Sequence, residues 1–282
     1  MKTSRARSIT GSILLAAFIA GTMGCMHTPA REGSFSRELS VSGPVILEVE
    51  NAAGGVRIQS GPAGKVSVRA RIRARGMFGG MSGEAKVRRL EDNPPIVQEG
   101  NTIRLGKIND FELRKNVFLD FEITLPADAQ VTVTTGAGNV SLRATRGALR
   151  ATTGAGNVTA EDVTGDAYLT TGAGNVEIRR AGGRLEANSG AGSIHASGGP
   201  KKDWRLSVGA GSIHVEVPSD ASFELEAQAG FGKVNVSQDF NLKSATISNS
   251  RVQGTVGSGG PMLRVNNGAG SIDITRGGGQ AN

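Results

Sequence analysis

His195 and His214 each follow directly on a Gly-Ala-Gly-Ser-Ile run, so they hold the same slot in two neighbouring copies of a repeat. Imidazoles in matching outward slots can approach closely enough to share a divalent metal, with Glu216 the nearest carboxylate. Two nitrogen ligands and one carboxylate are a thin set. The plainer reading is a surface pair, and no metal or other cofactor is expected. Glycan cleavage would need clustered carboxylates. Here Glu161, Asp166, Glu177 and Glu186 are scattered and interleaved with Arg143, Arg179 and Arg184, so no catalytic residue is expected. Calcium-binding β-rolls need an aspartate in every turn, whereas the corners here read Gly-Ala-Gly-Asn or Gly-Ala-Gly-Ser.

Two further features carry chemistry of other kinds. From Lys65, the residues Val66, Val68, Ala70, Ile72 and Ala74 alternate with Ser67, Arg69, Arg71, Arg73 and Arg75, which places four arginines on the outer face of one strand. Such a ridge could hold an anionic glycan or lipid by charge; the alternative is a solvated edge that discourages strand-to-strand aggregation. Lys86, Arg88 and Arg89 follow in a segment rich in glycine and methionine, read as loop. No aromatic platform accompanies the ridge in sequence, so nucleic acid is not expected. The second feature is Cys25, the only cysteine. Lys2, Arg5 and Arg7 precede an apolar stretch from Ile13 to Ile19, then small residues and Gly24: an export signal. The cysteine in that place resembles the bacterial lipoprotein box, which implies an acylated Cys25, and Met26 after it implies sorting to the outer membrane. A plain secretory signal with an incidental cysteine is the other reading. Removal of residues 1–24 lowers the formal charge from +7 to +4, since Lys2, Arg5 and Arg7 go with them.

The elements that position all of this are set by a repeat. Gly-Ala-Gly-Asn-Val begins at Gly136, Gly154 and Gly172, eighteen residues apart, and continues as Gly-Ala-Gly-Ser-Ile at Gly190, Gly209 and Gly268. Between Gly154 and Gly172 the apolar residues are Val158 and Ala160, then Val163, then Ala167 and Leu169, with polar residues between the members of each pair. Alternation over so few residues fits a short strand with one face buried and excludes an amphipathic helix. Two such strands per period, with a glycine turn at either end, predict one coil of a parallel β-solenoid about 18 residues long. Coils should stack roughly 4.8 Å apart. Gly136, Gly138, Gly154, Gly156, Gly172 and Gly174 then serve the corner, and Asn139, Asn157 and Asn175 fall in register, where their amides could form a ladder. The 42 glycines and scarce aromatics (one Trp, one Tyr, nine Phe) suit a thin core of small residues.

The template reaches further in both directions. Leu47 and Val49 precede Ala52-Ala53-Gly54-Gly55-Val56, where the first coil is expected; Gly230 and Gly268 lie 38 residues apart, which predicts a degenerate coil between them around Ile247 to Val256. Gly76 to Asp128 breaks the period and reads as inserted strands that could cover the open end of the stack. The expected organisation is a signal peptide (1–24), a lipidated tether (25–36), an N-terminal β region (37–130), the repeat solenoid (131–276) and a disordered tail (277–282).

Three passages resemble the bacterial family of β-strand-repeat putative adhesins, a domain of unknown function: Leu47 to Ile58; Phe121 to Pro126 leading through Val131 and Val133 into the repeats; and Gly254 to Leu263 before the last corner. The resemblance implies an exported β-solenoid in the cell envelope and no catalytic residues. Expectations of function follow: a non-enzymatic, lipid-anchored protein acting in adhesion or envelope organisation, or a signalling accessory that binds a membrane protein. A glycan-active β-helix enzyme is the third alternative.

Overall fold

Each repeat alternates small apolar and polar residues between two tight corners, so a copy can bury its apolar face only by stacking on the next. The computed structural model, which describes residues 30–76 and 80–277, shows that stacking in two facing sheets of 11 and 12 strands. The described residues begin with β1 (Arg31–Ser40), β2 (Ile46–Ala53), β3 (Val56–Gly61), β4 (Lys65–Ala74), helix α1 (Gly83–Asp92), β5 (Ile96–Glu99), β6 (Thr102–Leu105), the short helix α2 (Phe111–Arg114) and β7 (Val117–Pro126). Then come the regular coils, each one strand in either sheet: β8 (Gln130–Ala137) with β9 (Val140–Arg143), β10 (Leu149–Ala155) with β11 (Val158–Glu161), and β12 (Ala167–Ala173) with β13 (Val176–Ala181). They continue as β14 (Leu185–Ala191) with β15 (Ile194–Gly198), β16 (Trp204–Ala210) with β17 (Ile213–Pro218), and β18 (Phe223–Phe231) with β19 (Val234–Val236). A hairpin, β20 (Lys243–Ile247) and β21 (Arg251–Val256), precedes the last coil, β22 (Met262–Ala269) with β23 (Ile272–Gly277).

Neighbouring coils pair parallel and in register: Leu149, Ala151 and Thr153 sit beside Ala167, Leu169 and Thr171, and Val158 and Ala160 beside Val176 and Ile178. These inward residues are buried, as are Trp204 and Leu206, and together they form one continuous core from end to end. Corner backbones nearly touch. Gly156 sits at φ +141°, and a Cβ there would lie 2.2 Å from the Gly138 carbonyl oxygen of the coil before. The opposite corner uses left-handed non-glycine residues, Ala144, Asp162 and Arg180, at eighteen-residue spacing. That conformation costs of order 1 kcal/mol each and persists because the stacked strands on either side dictate it.

Coil order along the stack is not the order along the chain. In the first sheet the strands run β1-β4-β7-β3-β9-β11-β13-β15-β17-β23-β19, and in the second β20-β21-β18-β22-β16-β14-β12-β10-β8-β2-β6-β5. The coil β2/β3 is thus stacked on by β6/β7 on one side and β8/β9 on the other. At the far end the last coil in sequence, β22/β23, slots between β16/β17 and β18/β19. This corrects the expected degenerate coil between Gly230 and Gly268: residues Ile247 to Val256 belong to the β20–β21 hairpin, and the Gly268 corner itself lies between Gly209 and Gly230. β21 pairs antiparallel with β18, and β20, paired antiparallel with β21, closes that end of the second sheet.

The inserted segment covers the opposite end only in part: its β6 and β5 close the second sheet, while in the first sheet its β7 is itself covered by β4 and β1, which precede the insertion and extend the sheet antiparallel. Two helices also occur where strands or loop were expected. Ser82 caps α1 by accepting a hydrogen bond from the Ala85 N–H, and Val87 and Leu90 face the sheet. The tether expected to run to residue 36 is already strand from Arg31 onward, because β1 pairs along its whole length with β4. Cys25, the export signal and residues 278–282 of the expected tail lie outside the described residues.

Candidate functional surface

The corner residues lie where the repeat places them, on one edge of the stack. Their asparagines act differently from the expected amide ladder. The side-chain oxygen of Asn139 accepts the backbone N–H of Asn157 at 2.9 Å, that of Asn157 accepts the N–H of Asn175 at 2.9 Å, and that of Asn175 accepts the N–H of Ser193 at 2.8 Å. Each asparagine therefore staples the next corner through its main chain. A second periodic polar position escaped the sequence reading. Thr153, Thr171 and Ser189, each immediately before the Gly-Ala-Gly run, are buried and donate to the carbonyls of Gly138, Gly156 and Gly174. A hydroxyl at constant distance from the corner was the available signal.

On the outer face of the first sheet, His195 and His214 are directly paired, with rings stacked at 4.9 Å between centroids and 23° between planes. His214 Nε2 lies 3.2 Å from Glu216 Oε1. Glu177 and Asp273 flank the pair in the same row. No group of three metal-binding side chains converges among the described residues. The adjacent coils carry an ion-pair network: Arg180 binds both Glu161 and Asp162, Arg143 binds Glu161 from the coil before, and Lys202 binds Asp166 at 2.9 Å. Hydrogen bonds from Arg180 and Arg143 hold the Glu161 carboxyl below its ordinary range, and those from Arg180 do the same for Asp162. Asp166 is lowered by Lys202 and by the backbone N–H of Arg184.

The expected arginine ridge is brought onto one face but is not an edge, and two of its four arginines are in ion pairs. β4 lies between β1 and β7, so an edge strand's role passes to β1. Arg71 pairs with Glu32 at 2.7 Å and Arg73 with Asp120 at 2.9 Å. Arg69 is exposed beside Glu122 across the ladder, and Arg75 lies just past the strand, its N–H bonded to the Asn116 carbonyl. An aromatic does accompany the ridge: Phe118 of β7, over whose ring the Arg73 guanidinium sits at 5.6 Å. The three cations read as loop belong to α1. Arg88 pairs with Glu84 and Arg89 with Asp110, while Lys86 is buried and donates to the Lys115 carbonyl, its pKa pushed down by burial.

The second sheet presents outward rows of its own. One outward row reads Thr134, Thr152, Thr170, Asn188, Ser207, Asn266 and Gln228 on successive coils, uncharged hydrogen-bonding residues throughout. The parallel row beside it holds Arg150, Tyr168, Glu186, Arg205 and Arg264, with the Arg150 guanidinium 4.8 Å over the Tyr168 ring.

A parallel β-solenoid closed at both ends by antiparallel strands, with its chemistry spread in outward rows, defines the class. The chain belongs to the Toastrack DUF4097 family, which matches residues 108–275. Similar solved structures include a "putative cell adhesion protein" from Clostridium sporogenes, 13% identical, covering 88% of this chain and 100% of that one, with TM-score 0.36. A "putative adhesin" from Bacteroides fragilis is 14% identical over 86% and 97% of the two chains, with TM-score 0.41. A "putative lipid binding protein" from Parabacteroides distasonis is 12% identical over 87% and 97%, with TM-score 0.32. Comparison with curated proteins gives no match.

Proposed function

We propose that this chain is a non-enzymatic lipoprotein of the cell envelope, held by an acylated Cys25 in the outer membrane, that presents its solenoid as an adhesive or organising surface. The observation that carries the reading is the uncharged row from Thr134 to Gln228. Its hydroxyl and amide groups recur at the strand spacing, roughly 4.8 Å, along the sheet. A polymer with its own regular hydroxyls can match such a row over many contacts, each weak and collectively sufficient. Tyr168 and its neighbouring arginines offer stacking and charge beside it.

The test is adsorption of the purified chain to isolated envelopes and their extracted glycans, with Thr152→Lys, Thr170→Lys and Asn188→Lys combined as the probe. Binding should fall by about tenfold or more, since a charged row loses register-matched hydrogen bonds. Unchanged adsorption with intact folding would remove the row from the function. Cleavage of the chain by protease added to intact cells is expected for an adhesive surface. Full protection would favour the accessory role at a membrane protein.

A further inference from the structure

We propose that the end of the rod built by α2 and the start of β7 is a membrane-contact patch that rests on an anionic phospholipid surface. Phe111 and Phe118 are two of the few large apolar side chains left exposed, at 59% and 40%. Both have cations beside them: Lys115 Nζ stands 4.1 Å and the Arg114 guanidinium 6.0 Å from the Phe111 ring centroid, and Arg73 lies over Phe118. Aromatic rings with cations beside them suit the boundary between headgroups and acyl chains.

The charge balance at this end favours an anionic partner. Asp110, Glu112 and Asp120 each face a cation, Arg89, Lys115 and Arg73 respectively. Arg75, Lys107 and Arg114 have no ion pair among the described residues and are exposed. Lys107 and Arg114 line a cleft floored by Ile108, Val117 and Leu119, with Glu50 also on its wall. That arrangement fits a phosphate headgroup.

Position along the chain supplies the independent argument. Arg31, the first residue of β1, pairs with Ala74, and Ala74 pairs with Val117, so the start of β1 lies only two strand spacings from the patch. Five residues separate Cys25 from Arg31, and the six Cα–Cα steps can span at most about 20 Å. An acyl chain on Cys25 would therefore hold this end against the bilayer. A basic aromatic patch would add a second, salt-sensitive contact to that anchorage. The placement rests on the reading of Cys25 as an anchor; the aromatic and cationic geometry does not.

The experiment uses the full chain with Phe111→Trp, and separately with Ile247→Trp on β20 at the other end of the rod, about 45 Å away by strand spacing. Each is bound to phosphatidylglycerol-containing vesicles with brominated acyl chains; Trp204 is buried in both and supplies a constant background. Emission from the indole at position 111 should be quenched severalfold more than that at 247, and the quenching should weaken at raised salt. Phe118→Trp repeats the measurement should the first variant fold poorly. Equal quenching at both ends, or none at 111 and 118 in vesicle-bound chain, overturns the patch. Quenching that survives Cys25→Ser with the same salt dependence keeps the patch and removes the acyl anchor; quenching abolished by Cys25→Ser overturns the patch as a contact in its own right. Equal binding to soluble anionic polysaccharide, with no bromine quenching, would reassign the cations to a glycan and also overturn it.

Discussion

At the scale of single residues the corners decide whether the fold exists. Gly156→Ala forces a Cβ to within 2.2 Å of a backbone oxygen at a φ that L residues rarely adopt, and neither the corner nor its neighbour can shift without opening the ladder. A loss of more than about 3 kcal/mol in denaturant unfolding is expected, the range reserved for strain and overpacking. Gly182 is the control. A Cβ there meets nothing nearer than 4.0 Å, so Gly182→Ala should change stability by less than about 0.5 kcal/mol. The same comparison shows what the sequence could reveal. Glycines at constant spacing announce corners because a Cβ at those positions would meet the backbone of the neighbouring coil. The side-chain partner does not follow from spacing: an amide in register can bond its neighbour's amide or its neighbour's main chain, and the choice depends on rotamers. Replacing Asn157 with Ala removes the acceptor for the Asn175 N–H. A destabilisation of about 1 kcal/mol is expected, similar to losing a helix cap.

At the scale of elements, regular strands were legible and everything that interrupts them was less so. Period-two alternation identifies β4 and its arginines, yet alternation says nothing about which strands flank it; Glu32 and Asp120 come from 39 and 47 residues away to pair with Arg71 and Arg73. Helix α1 is only ten residues long and shows a single Val87–Leu90 pair behind the Ser82 cap, too little periodicity to stand out beside glycines. The ion pairs across the regular coils carry a pH dependence. Glu161, Asp162 and Asp166 titrate below their ordinary range in the folded chain, so the unfolded chain binds more protons in acid. Their contribution is complete above the unfolded carboxylate range near about 4 and is lost as pH falls through the lower folded values. Unfolding midpoints should therefore drop below pH 4, and Arg180→Gln, which removes the first cause for Glu161 and Asp162, should lower the midpoint at pH 7 while flattening the drop. These groups are solvent-facing, so the effect should shrink in high salt. Identical slopes for the two proteins would show that the network does not couple to folding.

At the scale of the whole molecule, the stack has an order that no single repeat encodes. Most corners use the same residue types, Gly230-Phe231-Gly232 and Ala52-Ala53-Gly54 departing least at the glycine that turns, and the coils offer similar inward patterns, so many copies could in principle pair with one another. Chain order is the natural default. The structure departs from it at both ends, and the departure at the far end makes the final sixteen residues of the described chain, Met262–Gly277, the join between β16/β17 and β18/β19. β18 touches the rest of its sheet only through β22 and the terminal hairpin, and β19 only through β23. The end of the rod must therefore wait for the last coil to be made, a long-range closure that slows folding and leaves strand edges open until it happens. Ending the chain after Pro261 is expected to release residues 219–261 to rapid proteolysis while β8 to β15 stay protected, because their neighbours are all retained; β16 and β17 lose β22 and β23 and become edge strands. Limited digestion followed by mass analysis reads this directly. If 219–261 remained as resistant as in the full chain, β18 and β19 would have to stack on β16 and β17 unaided, and the intercalated coil would be a filler and not the closure of the rod.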